Sequence, residues 1–360
     1  MGLNALRSLV SDSMAIDMGS ASTIIAVRGR GVVIDEPSVV AVNKITGEVI
    51  AVGDEARKMQ GREARDVTVI APLVDGVVAD FERTRAMLDH FVREARSGIS
   101  HFSRRAIMSV LSGVTQVEQR ALLSAAEEAH ISRVYMIEEG QAAAIGAGVP
   151  IDDDHASAVV DIGGGTTNVA AIVTGSIVAS RAERIGSSDI DDTIMDRLRR
   201  HRGLTIGIQT AERLKLELSS AIEPPDPNKK INVRGRDVQT GSPGAVDITA
   251  GEIYAVTLPI IRRIADEVRS TLTELAPEVA GDIFERGIIL TGGGALLEGL
   301  PQYLQKELKL PVRVAADPRF AIVRGLSQLF EEPLLLRRVA RTEAHPLIDD
   351  EATAFESEAY

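Results

Sequence analysis

One stretch, an aspartate followed by three glycines and two threonines, constrains this chain more than any other. An apolar run ends at Asp161, and the glycines at 163–165 then bring backbone N–H groups together without side chains. Glycines adopt positive φ readily, and exposed N–H groups bind phosphate oxygens. Residues 168–173 are typical of a second strand, whereas a P-loop or a dinucleotide fingerprint needs a helix there. The stretch therefore predicts a phosphate-binding β-hairpin.

The same unit occurs near the start of the chain. Strand-like residues 14–18 contain Asp17, small residues follow at 19–22, and residues 23–27 are again strand-like. A single Asp-x-Gly-x-x-x-Thr match is more often an ordinary hairpin turn. Two matches, each between strands, indicate two similar domains that each supply one hairpin to a ligand held between them.

Composition limits the classes of function. The 360 residues, 44% of them hydrophobic, suffice for two domains with separate cores. A net charge of −12 disfavours a nucleic-acid surface, because binding to the phosphate backbone relies on clustered Lys and Arg. Without cysteine there is no disulfide, thiolate zinc site or thiol nucleophile, so a reducing cytosol is expected. The six histidines have no metal-ligand spacing.

Two apolar segments suggest contact with a membrane surface. No apolar run approaches the ~20 residues of a membrane-spanning helix. Leu3, Leu6 and Leu9 recur at helical spacing and predict a short helix lying on a membrane, although a frayed or core-docked terminus fits equally well. Ile99 and Phe102, close to two arginines, predict a second contact, with covering of the core as the alternative.

From residue 105 onward, strand and helix patterns alternate, which indicates crossover units on a mixed or parallel sheet. Glu139 falls at the end of a predicted strand, where α/β sheets place ligands. A third glycine cluster, residues 292–294, follows a buried strand at 287–290. That loop is predicted to lie flat against a base and a ribose.

Together these motifs resemble the actin, sugar-kinase and DnaK-type ATPase superfamily, and within it the bacterial actins of the MreB family. The resemblance covers residues 14–330. It is carried by segments 17–23, 35–40, 75–81, 115–118, 137–139, 142–148, 161–167, 211–213 and 285–297.

The resemblance implies an α/β, actin-like ATPase fold, with two lobes of duplicated ribonuclease-H-like domains around a central nucleotide cleft. Lobe I is expected at 13–145 plus 311–336, with a small subdomain at about 33–66, and lobe II at 146–310, with a small subdomain at about 183–247. Residues 1–12 would be an amphipathic segment and 337–360 a disordered acidic tail.

Transferred position by position, the resemblance also implies a site for ATP or ADP. Ser20, Ala21 and Ser22 would bracket the terminal phosphates from one lobe, and Gly163, Gly164 and Gly165 from the other. The adenosine would be held by Glu212, Arg213, Leu214, Lys215, Gly292, Gly293, Gly294 and Ala295.

Three carboxylates are the predicted catalytic residues. Asp17 and Asp161 would face Mg²⁺ through water, because Mg²⁺ gives up its hydration shell reluctantly. Without the ion they would repel a triphosphate by several kcal/mol at an effective dielectric constant of ~20, so binding should need Mg²⁺. Glu139 matches the position that orients the attacking water. The alternative is a surface carboxylate at the start of a helix.

The resemblance implies a Mg²⁺-dependent ATPase whose subunits stack head to tail into paired protofilaments. These filaments would lie on the inner face of the cytoplasmic membrane and organise cell-wall elongation proteins in rod-shaped bacteria. Alternatives are a magnetosome- or plasmid-positioning actin and a small-molecule kinase. A chaperone is disfavoured, because the residues after 330 are too few for a peptide-binding domain.

The chain departs from the family pattern at several positions. Gly140 and Gln141 replace Pro-Met, and Asn168 replaces an acidic residue. Residues 186–189 replace Gly-Gly-Asp-Arg, and Leu111 stands where proline is common. These departures concern the rate of hydrolysis more than filament assembly.

Overall fold

The computed structural model describes residues 13–96, 105–131, 133–151 and 153–341, which form two lobes around a cleft. The strands of the first lobe are β1 (Ser13–Met18), β2 (Ser22–Val27), β3 (Gly31–Pro37), β4 (Val40–Asn43), β5 (Val49–Val52), β6 (Val67–Ile70), β7 (Leu73–Val74), β8 (Val77–Val78), β9 (Arg105–Val110) and β10 (Arg133–Glu138). Its helices are α1 (Gly53–Met59), α2 (Phe81–Ala95) and α3 (Gln116–Glu128).

Helix α4 (Glu139–Gly146) leads into the second lobe. The strands there are β11 (Ser157–Ile162), β12 (Thr167–Val173), β13 (Ser176–Glu183), β14 (Leu204–Thr205), β15 (Lys230–Asp237), β16 (Pro243–Thr249), β17 (Ile288–Thr291) and β18 (Val312–Val314). The remaining helices are α5 (Ser187–Arg202), α6 (Ile208–Leu218), α7 (Ala250–Thr273), α8 (Pro277–Arg286), α9 (Leu300–Leu308), α10 (Ala321–Gln328) and α11 (Pro333–Val339).

The two large sheets have the same topology. Their strand orders are β10-β9-β1-β2-β3 and β13-β12-β11-β17-β18. In each sheet an antiparallel hairpin, β1-β2 or β11-β12, is followed by a third antiparallel strand, and two parallel strands lie on the other side. The internal duplication expected from the two aspartate motifs is therefore present in the fold.

Alternation along the central strands directs apolar residues to two different cores. In β1, Met14 and Ile16 pack into the core of the first lobe, whereas Ala15 joins a core that lies between the lobes. In β11, Val160 belongs to the core of the second lobe and Val159 to the shared core. Because successive side chains on a strand point to opposite faces, Asp17 and Asp161 project on the shared side.

Helices α4 and α10 fill the space between the lobes, and their close contact depends on two glycines. A Cβ atom on Gly146 would overlap the carbonyl oxygen of Ala321. A Cβ atom on Gly325 would likewise overlap the carbonyl oxygen of Ala142. The buried side chains of both helices join apolar residues of both large sheets in the shared core. Backbone contact at this crossing therefore fixes one lobe against the other.

The secondary-structure elements cross three of the predicted boundaries. Strand β18 pairs with β17, so the second lobe continues past residue 311. Strand β3 pairs with β2 in the large sheet, so the small subdomain of lobe I begins after residue 33, with the three-stranded sheet β5-β4-β6. Residue 337, the predicted start of the tail, lies inside helix α11. This helix is part of the fold, since its residues Leu335 and Val339 are buried in the shared core.

The predicted membrane contacts Leu3, Leu6, Leu9, Ile99 and Phe102 lie outside the described residues, as does the tail beyond residue 341. Within the residues that are described, no helix is both long enough and apolar enough to cross a bilayer.

We expect Gly146→Ala to destabilise the protein by about 1–3 kcal/mol, because overpacking would force α4 and α10 apart. Urea denaturation followed by circular dichroism measures this change in the free energy of unfolding.

The matched control is Gly281→Ala in α8, where an added Cβ has open space around it. Alanine there should stabilise the protein by roughly 0.5–1 kcal/mol, because glycine loses more conformational freedom in a helix. Equal effects of the two substitutions would contradict the close packing at Gly146.

Candidate functional site

A cleft of about 590 Å³ separates the two lobes, and both aspartate hairpins line it. Of the residues predicted from the sequence, the following line this cleft: Asp17, Ser20, Ala21, Ser22, Glu139, Asp161, Gly163, Gly164, Gly165, Glu212, Lys215, Gly292, Gly293 and Gly294. Residues separated by up to 277 positions in the chain, from 17 to 294, thus meet in one cavity.

The two aspartates occupy equivalent environments. Ser109 on β9 donates a hydrogen bond from Oγ to Asp17 Oδ1 at 2.8 Å. Thr291 on β17 donates from Oγ1 to Asp161 Oδ1 at 2.7 Å. In both lobes, the donor comes from the strand that runs parallel to the aspartate's strand. The duplicated fold therefore holds two carboxylates in the same way, one on each side of the cleft.

The carboxylates carry unusually high pKa values. Burial, together with the charge of Asp161, raises the pKa of Asp17 to about 7 despite its hydrogen bond from Ser109. Burial raises the pKa of Asp161 to about 6, against an ordinary value of 3.8. Neither carboxylate forms an ion pair with any lysine, arginine or histidine in the described part of the chain. No cation from the described residues therefore compensates the charge of either carboxylate.

The turns of the two hairpins are also alike and lie against each other. Gly19 N donates to Ser22 O at 3.0 Å, and Gly163 N donates to Thr166 O at 2.8 Å. Across the cleft, a Cβ atom on Gly164 would overlap the Cβ of Ala21. Because glycine has no side chain, the two turns approach closely, and their backbone groups face the same space.

The second turn is braced by helix α5. Ser187 N donates to Gly163 O at 3.0 Å, and Ser188 N donates to Gly164 O at 2.8 Å. A third bond, from Gly186 N to Asp189 Oδ2 at 2.7 Å, caps the start of the helix. The departure from the family pattern at residues 186–189 therefore still supplies N–H donors and a capping carboxylate. These bonds engage the carbonyl oxygens of Gly163 and Gly164 and stabilise the turn.

Ser20 is oriented by the neighbouring hairpin β7-β8. Gly76 N donates to Ser20 Oγ at 2.7 Å, so an acceptor position of the hydroxyl is filled and its proton remains available to an oxygen in the cleft. Asp75, in the same turn, has φ of +50°, a conformation rare for a residue with a side chain. Backbone strain of this kind is concentrated at functional sites.

Glu139 is the first residue of α4 and lines the cleft, whereas the neighbouring Glu138 is not among the lining residues. Ser112 Oγ donates to Glu138 Oε2 at 2.8 Å, and Arg341 lies 3.6 Å from its other oxygen. Glu139 is 8% exposed. Burial and the charges of Asp17 and Asp161 hold its pKa well above the ordinary value. Of the two adjacent carboxylates, only Glu139 is among the residues that line the cleft.

At the far end of the cleft, Lys215 is fixed rather than free. Its Nζ donates to Asp191 Oδ2 at 2.6 Å and to Ser187 O at 3.1 Å, and only 12% of its side chain is exposed. Burial raises the pKa of Asp191 to about 6 even beside this lysine. The buried pair ties α6 to α5 below the glycines of the second lobe.

Three residues predicted to contact adenosine do not line the cleft. Leu214 and Ala295 are buried in the core of the second lobe, because each lies on the face of its helical turn opposite the cavity. Arg213 lines a smaller cavity between α1 and α6 that adjoins the cleft, and it approaches Glu217 at 3.9 Å. A run of consecutive residues on a helix cannot all face one ligand, since side chains on one face recur every three or four residues.

The apolar walls of this end of the cleft were not predicted from the sequence. Leu216 and Leu296 are 78% and 64% exposed, and Ile261 and Ile264 of α7 lie behind them. Leu216 stands between a lysine and a glutamate on the polar side of α6. An apolar residue on a polar helix face was the available signal for a binding surface.

A contact across the mouth of the cleft was also missed. Arg57 on α1 forms an ion pair with Glu212 on α6, and Gln209 Nε2 donates to Arg57 O at 2.6 Å. Arg57 and Glu212 both line the cleft. The two lobes therefore meet at the glycine turns and again at the small subdomains. No local sequence pattern relates residues that are 155 positions apart.

The residues fit a nucleotide with its magnesium ion. Two buried carboxylates with raised pKa values face each other without a cation from the described residues, which is the chemistry that a hydrated Mg²⁺ satisfies. The two small-residue turns approach each other closely from opposite lobes. Backbone N–H groups of such turns suit phosphate oxygens. The apolar far end suits a base.

This combination of duplicated sheets, paired aspartate hairpins and a cleft between the lobes defines an actin-like protein. The family model described as MreB/Mbl protein matches residues 11–337. The chain belongs to the MreB/Mbl family.

Two curated relatives are similar in sequence over nearly the whole chain. The cell shape-determining protein MreB of Escherichia coli strain K12 is 42% identical over 334 residues, which are 91% of this chain and 96% of that protein. The cell shape-determining protein Mbl of Bacillus subtilis strain 168 is 40% identical over 318 residues, which are 88% of this chain and 95% of that protein.

Solved structures support the same fold. MreB5 of Spiroplasma citri bound to AMPPNP has a TM-score of 0.84 and 34% identity, covering 90% of this chain and 97% of that one. MreB5 bound to ADP has a TM-score of 0.85 and 34% identity over 91% of this chain and 98% of that one. The MamK double helical filament, at 23% identity and a TM-score of 0.74 over 89% of this chain and 99% of that one, shares the fold.

We expect Asp161→Asn to stabilise the nucleotide-free, magnesium-free protein above pH 6. The folded protein holds the Asp161 proton up to about pH 6, whereas the unfolded chain releases it near pH 3.8. Stability is therefore lost as pH rises through this window. A shift of this size corresponds to about 2–3 kcal/mol. Thermal unfolding at pH 8 should show the gain, and at pH 3.5 the two proteins should unfold alike.

Asp237→Asn is the control with the opposite sign. Backbone and hydroxyl donors of residues 239 and 240 lower the pKa of Asp237, so its ionised form is favoured in the folded state. The asparagine variant should lose stability at pH 8. If Asp161→Asn also lost stability at pH 8, the ionised Asp161 carboxylate would be stabilising in the folded protein, and the prediction would be wrong.

Proposed function

We propose that this protein is an ATP-dependent, polymerising actin-like cytoskeletal protein that directs cell shape and cell-wall synthesis in rod-shaped bacteria. The single observation that carries the proposal is the convergence of two equivalent aspartate hairpins on one cleft, in a chain of the MreB/Mbl family. The curated relatives are named for determining cell shape, and the MreB5 structures hold AMPPNP and ADP.

In this proposal, the hairpin turns hold the terminal phosphates. Ser20, whose hydroxyl is oriented by Gly76, donates from one lobe, and the N–H groups of Gly164 and Gly165 donate from the other. The apolar residues Leu216 and Leu296 cover the base, beside Glu212 and Lys215. Bonds to α5 keep the second turn in place, so little order has to be gained on binding.

Hydrolysis requires little covalent chemistry from the protein, because positioning and electrostatics dominate phosphoryl transfer. A magnesium ion bound through water at Asp17 and Asp161 would neutralise charge on the phosphates and on both carboxylates. Glu139, which lines the cleft, accepts a hydrogen bond from the attacking water and fixes its direction. Burial raises the pKa of Glu139, and neutralising the other carboxylates would remove the part of the rise that comes from their charges.

The subunits are proposed to stack head to tail into paired protofilaments at the inner face of the cytoplasmic membrane, together with cell-wall elongation proteins. The net charge of −12 does not favour nucleic acid as a partner. Family membership favours this function over a small-molecule kinase of the same superfamily. It also favours it over a magnetosome- or plasmid-positioning actin, because the likeness to MamK extends only to the fold.

The test is assembly of the purified full-length chain with ATP and Mg²⁺, followed by negative-stain microscopy and a phosphate-release assay. We expect filaments, and we expect Glu139→Gln to form them too while releasing phosphate about 10²-fold more slowly. Binding of a fluorescent ATP analogue should be nearly unchanged in this variant, because Glu139 acts on the water and not on the nucleotide.

Glu138→Gln is the matched control, since its carboxylate bonds Ser112 and lies outside the cleft. It should release phosphate at the parental rate. Absence of filaments in solution and on lipid would refute the cytoskeletal function. Equal phosphate release by parent and Glu139→Gln would show that the wrong carboxylate was assigned.

Membrane association is proposed from the sequence alone, through Leu3, Leu6, Leu9, Ile99 and Phe102. Deleting residues 2–10, or changing Ile99 and Phe102 to serine, should reduce co-sedimentation with anionic liposomes, because each removes apolar surface that would enter the interface.

Changing the exposed Ile45 of the small subdomain to serine serves as the control, since this residue is 81% exposed and is not part of either predicted contact. Equal pelleting of all variants with the parent would remove the claim of membrane contact.

A further inference from the structure

The two aspartate hairpins differ at one paired position. In the first hairpin, Asp17 lies opposite Ile24 in the strand register, and in the second, Asp161 lies opposite Asn168. Directly opposed residues of an antiparallel pair project on the same face. Beside the aspartate, one copy of the duplicated unit therefore presents an apolar side chain and the other presents an amide.

The amide of Asn168 contacts the proposed water-positioning residue. Its Nδ2 donates to Glu139 Oε2 at 2.5 Å, and Asn168 is only 1% exposed. Among the described residues, Asn168 supplies the one side-chain hydrogen bond that Glu139 receives. Glu139 otherwise faces the negative charges of Asp17 and Asp161.

Close packing brings these two side chains together. Ala170 lies two residues beyond Asn168 on β12 and so projects on the same face. A Cβ atom on Gly140, next to Glu139, would overlap the Cβ of Ala170. The first turn of α4 therefore lies directly against β12. Any larger residue at position 140 would move Glu139 away from Asn168 unless the strand shifted.

We propose that Asn168 is a positioning residue for ATP hydrolysis, which holds the Glu139 carboxylate in the orientation that receives the attacking water. This inference rests on the proposed function. The duplication supplies the amide to one hairpin only, and Glu139 reaches the cleft beside that hairpin. The two hairpins thus share phosphate binding, and the second alone supports the hydrolytic group.

An amide suits this position because it offers a donor without adding charge. Glu139 must accept a hydrogen bond from water through one oxygen, so its other oxygen needs a donor that fixes the plane of the carboxylate. A carboxylate at position 168 would offer no N–H and would place a fourth acid beside three. The second polar atom of the amide, Asn168 Oδ1, is buried and has no hydrogen-bond partner among the described residues. Within that part of the chain, the contact with Glu139 is thus the one hydrogen bond that the Asn168 side chain makes.

The test compares Asn168→Ala and Asn168→Asp with the parent in steady-state phosphate release. We expect kcat to fall about 10- to 100-fold in both variants, because a misplaced carboxylate no longer directs the water. KM for ATP, and the dissociation constant of a fluorescent non-hydrolysable ATP analogue measured with Mg²⁺, should change less than about twofold. Filaments should still assemble with the analogue, which shows that the variants fold.

The double variant Asn168→Ala with Glu139→Gln separates positioning from an independent role. If Asn168 acts through Glu139, the double variant should be no slower than Glu139→Gln alone. Asn232→Ala is the matched control, since Asn232 Nδ2 donates to Asp247 Oδ1 at 2.9 Å on the exposed β15-β16 ribbon. It should leave kcat unchanged.

The outcomes distinguish this inference from the proposed function. Parental kcat in Asn168→Ala would overturn the inference while hydrolysis by the parent stands. The inference would also be overturned if Asn168→Ala lowered the kcat of the Glu139→Gln variant by as large a factor as it lowers the kcat of the parent. A parent that releases no phosphate would overturn the proposed hydrolysis and the inference with it. A twofold or larger loss of analogue affinity would assign Asn168 to nucleotide binding instead.

Discussion

The backbone contact between α4 and α10 is the interaction on which the rest of the molecule depends. At Gly146 and Gly325 the two helices approach so closely that neither position accepts a Cβ atom. Each helix belongs to one of the two places where the described chain passes between the lobes. Because both sheets pack on these helices, the crossing sets the distance between the hairpins, and therefore the width of the cleft.

From this arrangement the chemistry of the cleft follows by strand alternation. One face of β1 and of β11 is apolar and covers its own lobe, so the aspartate between apolar neighbours projects toward the other lobe. In each lobe, a serine or threonine of the adjacent parallel strand donates a hydrogen bond to the aspartate. The carboxylates are buried and mutually repulsive, with raised pKa values, so their ionisation costs stability that a cation bound between them would restore.

The features encoded by local pattern could be predicted from the sequence, and those that depend on distant packing could not. The hairpins, their duplication and Glu139 follow from short motifs, and the structure brings them to one cleft. Leu214 and Ala295 lie in the core of the second lobe and not at the cleft, and motif transfer carries no information about which face of a turn is buried. The Arg57–Glu212 pair and the lobe boundary at β18 arise from contacts between residues far apart in the chain. Short-range periodicity carries no information about them.

Duplication alone would give a symmetric site, and hydrolysis of a terminal phosphate needs an asymmetric one. The asymmetry here comes from α4. Its first residue, Glu139, follows the last strand of the first lobe, yet its carboxylate is bonded by Asn168 on the second lobe's hairpin. The same helix ends at Gly146, in the crossing that fixes the lobes together. Because α4 is only eight residues long, any relative movement of the lobes at Gly146 must also act on the geometry around Glu139. The carboxylate proposed to act in hydrolysis and the contact between the lobes thus lie at the two ends of one short helix.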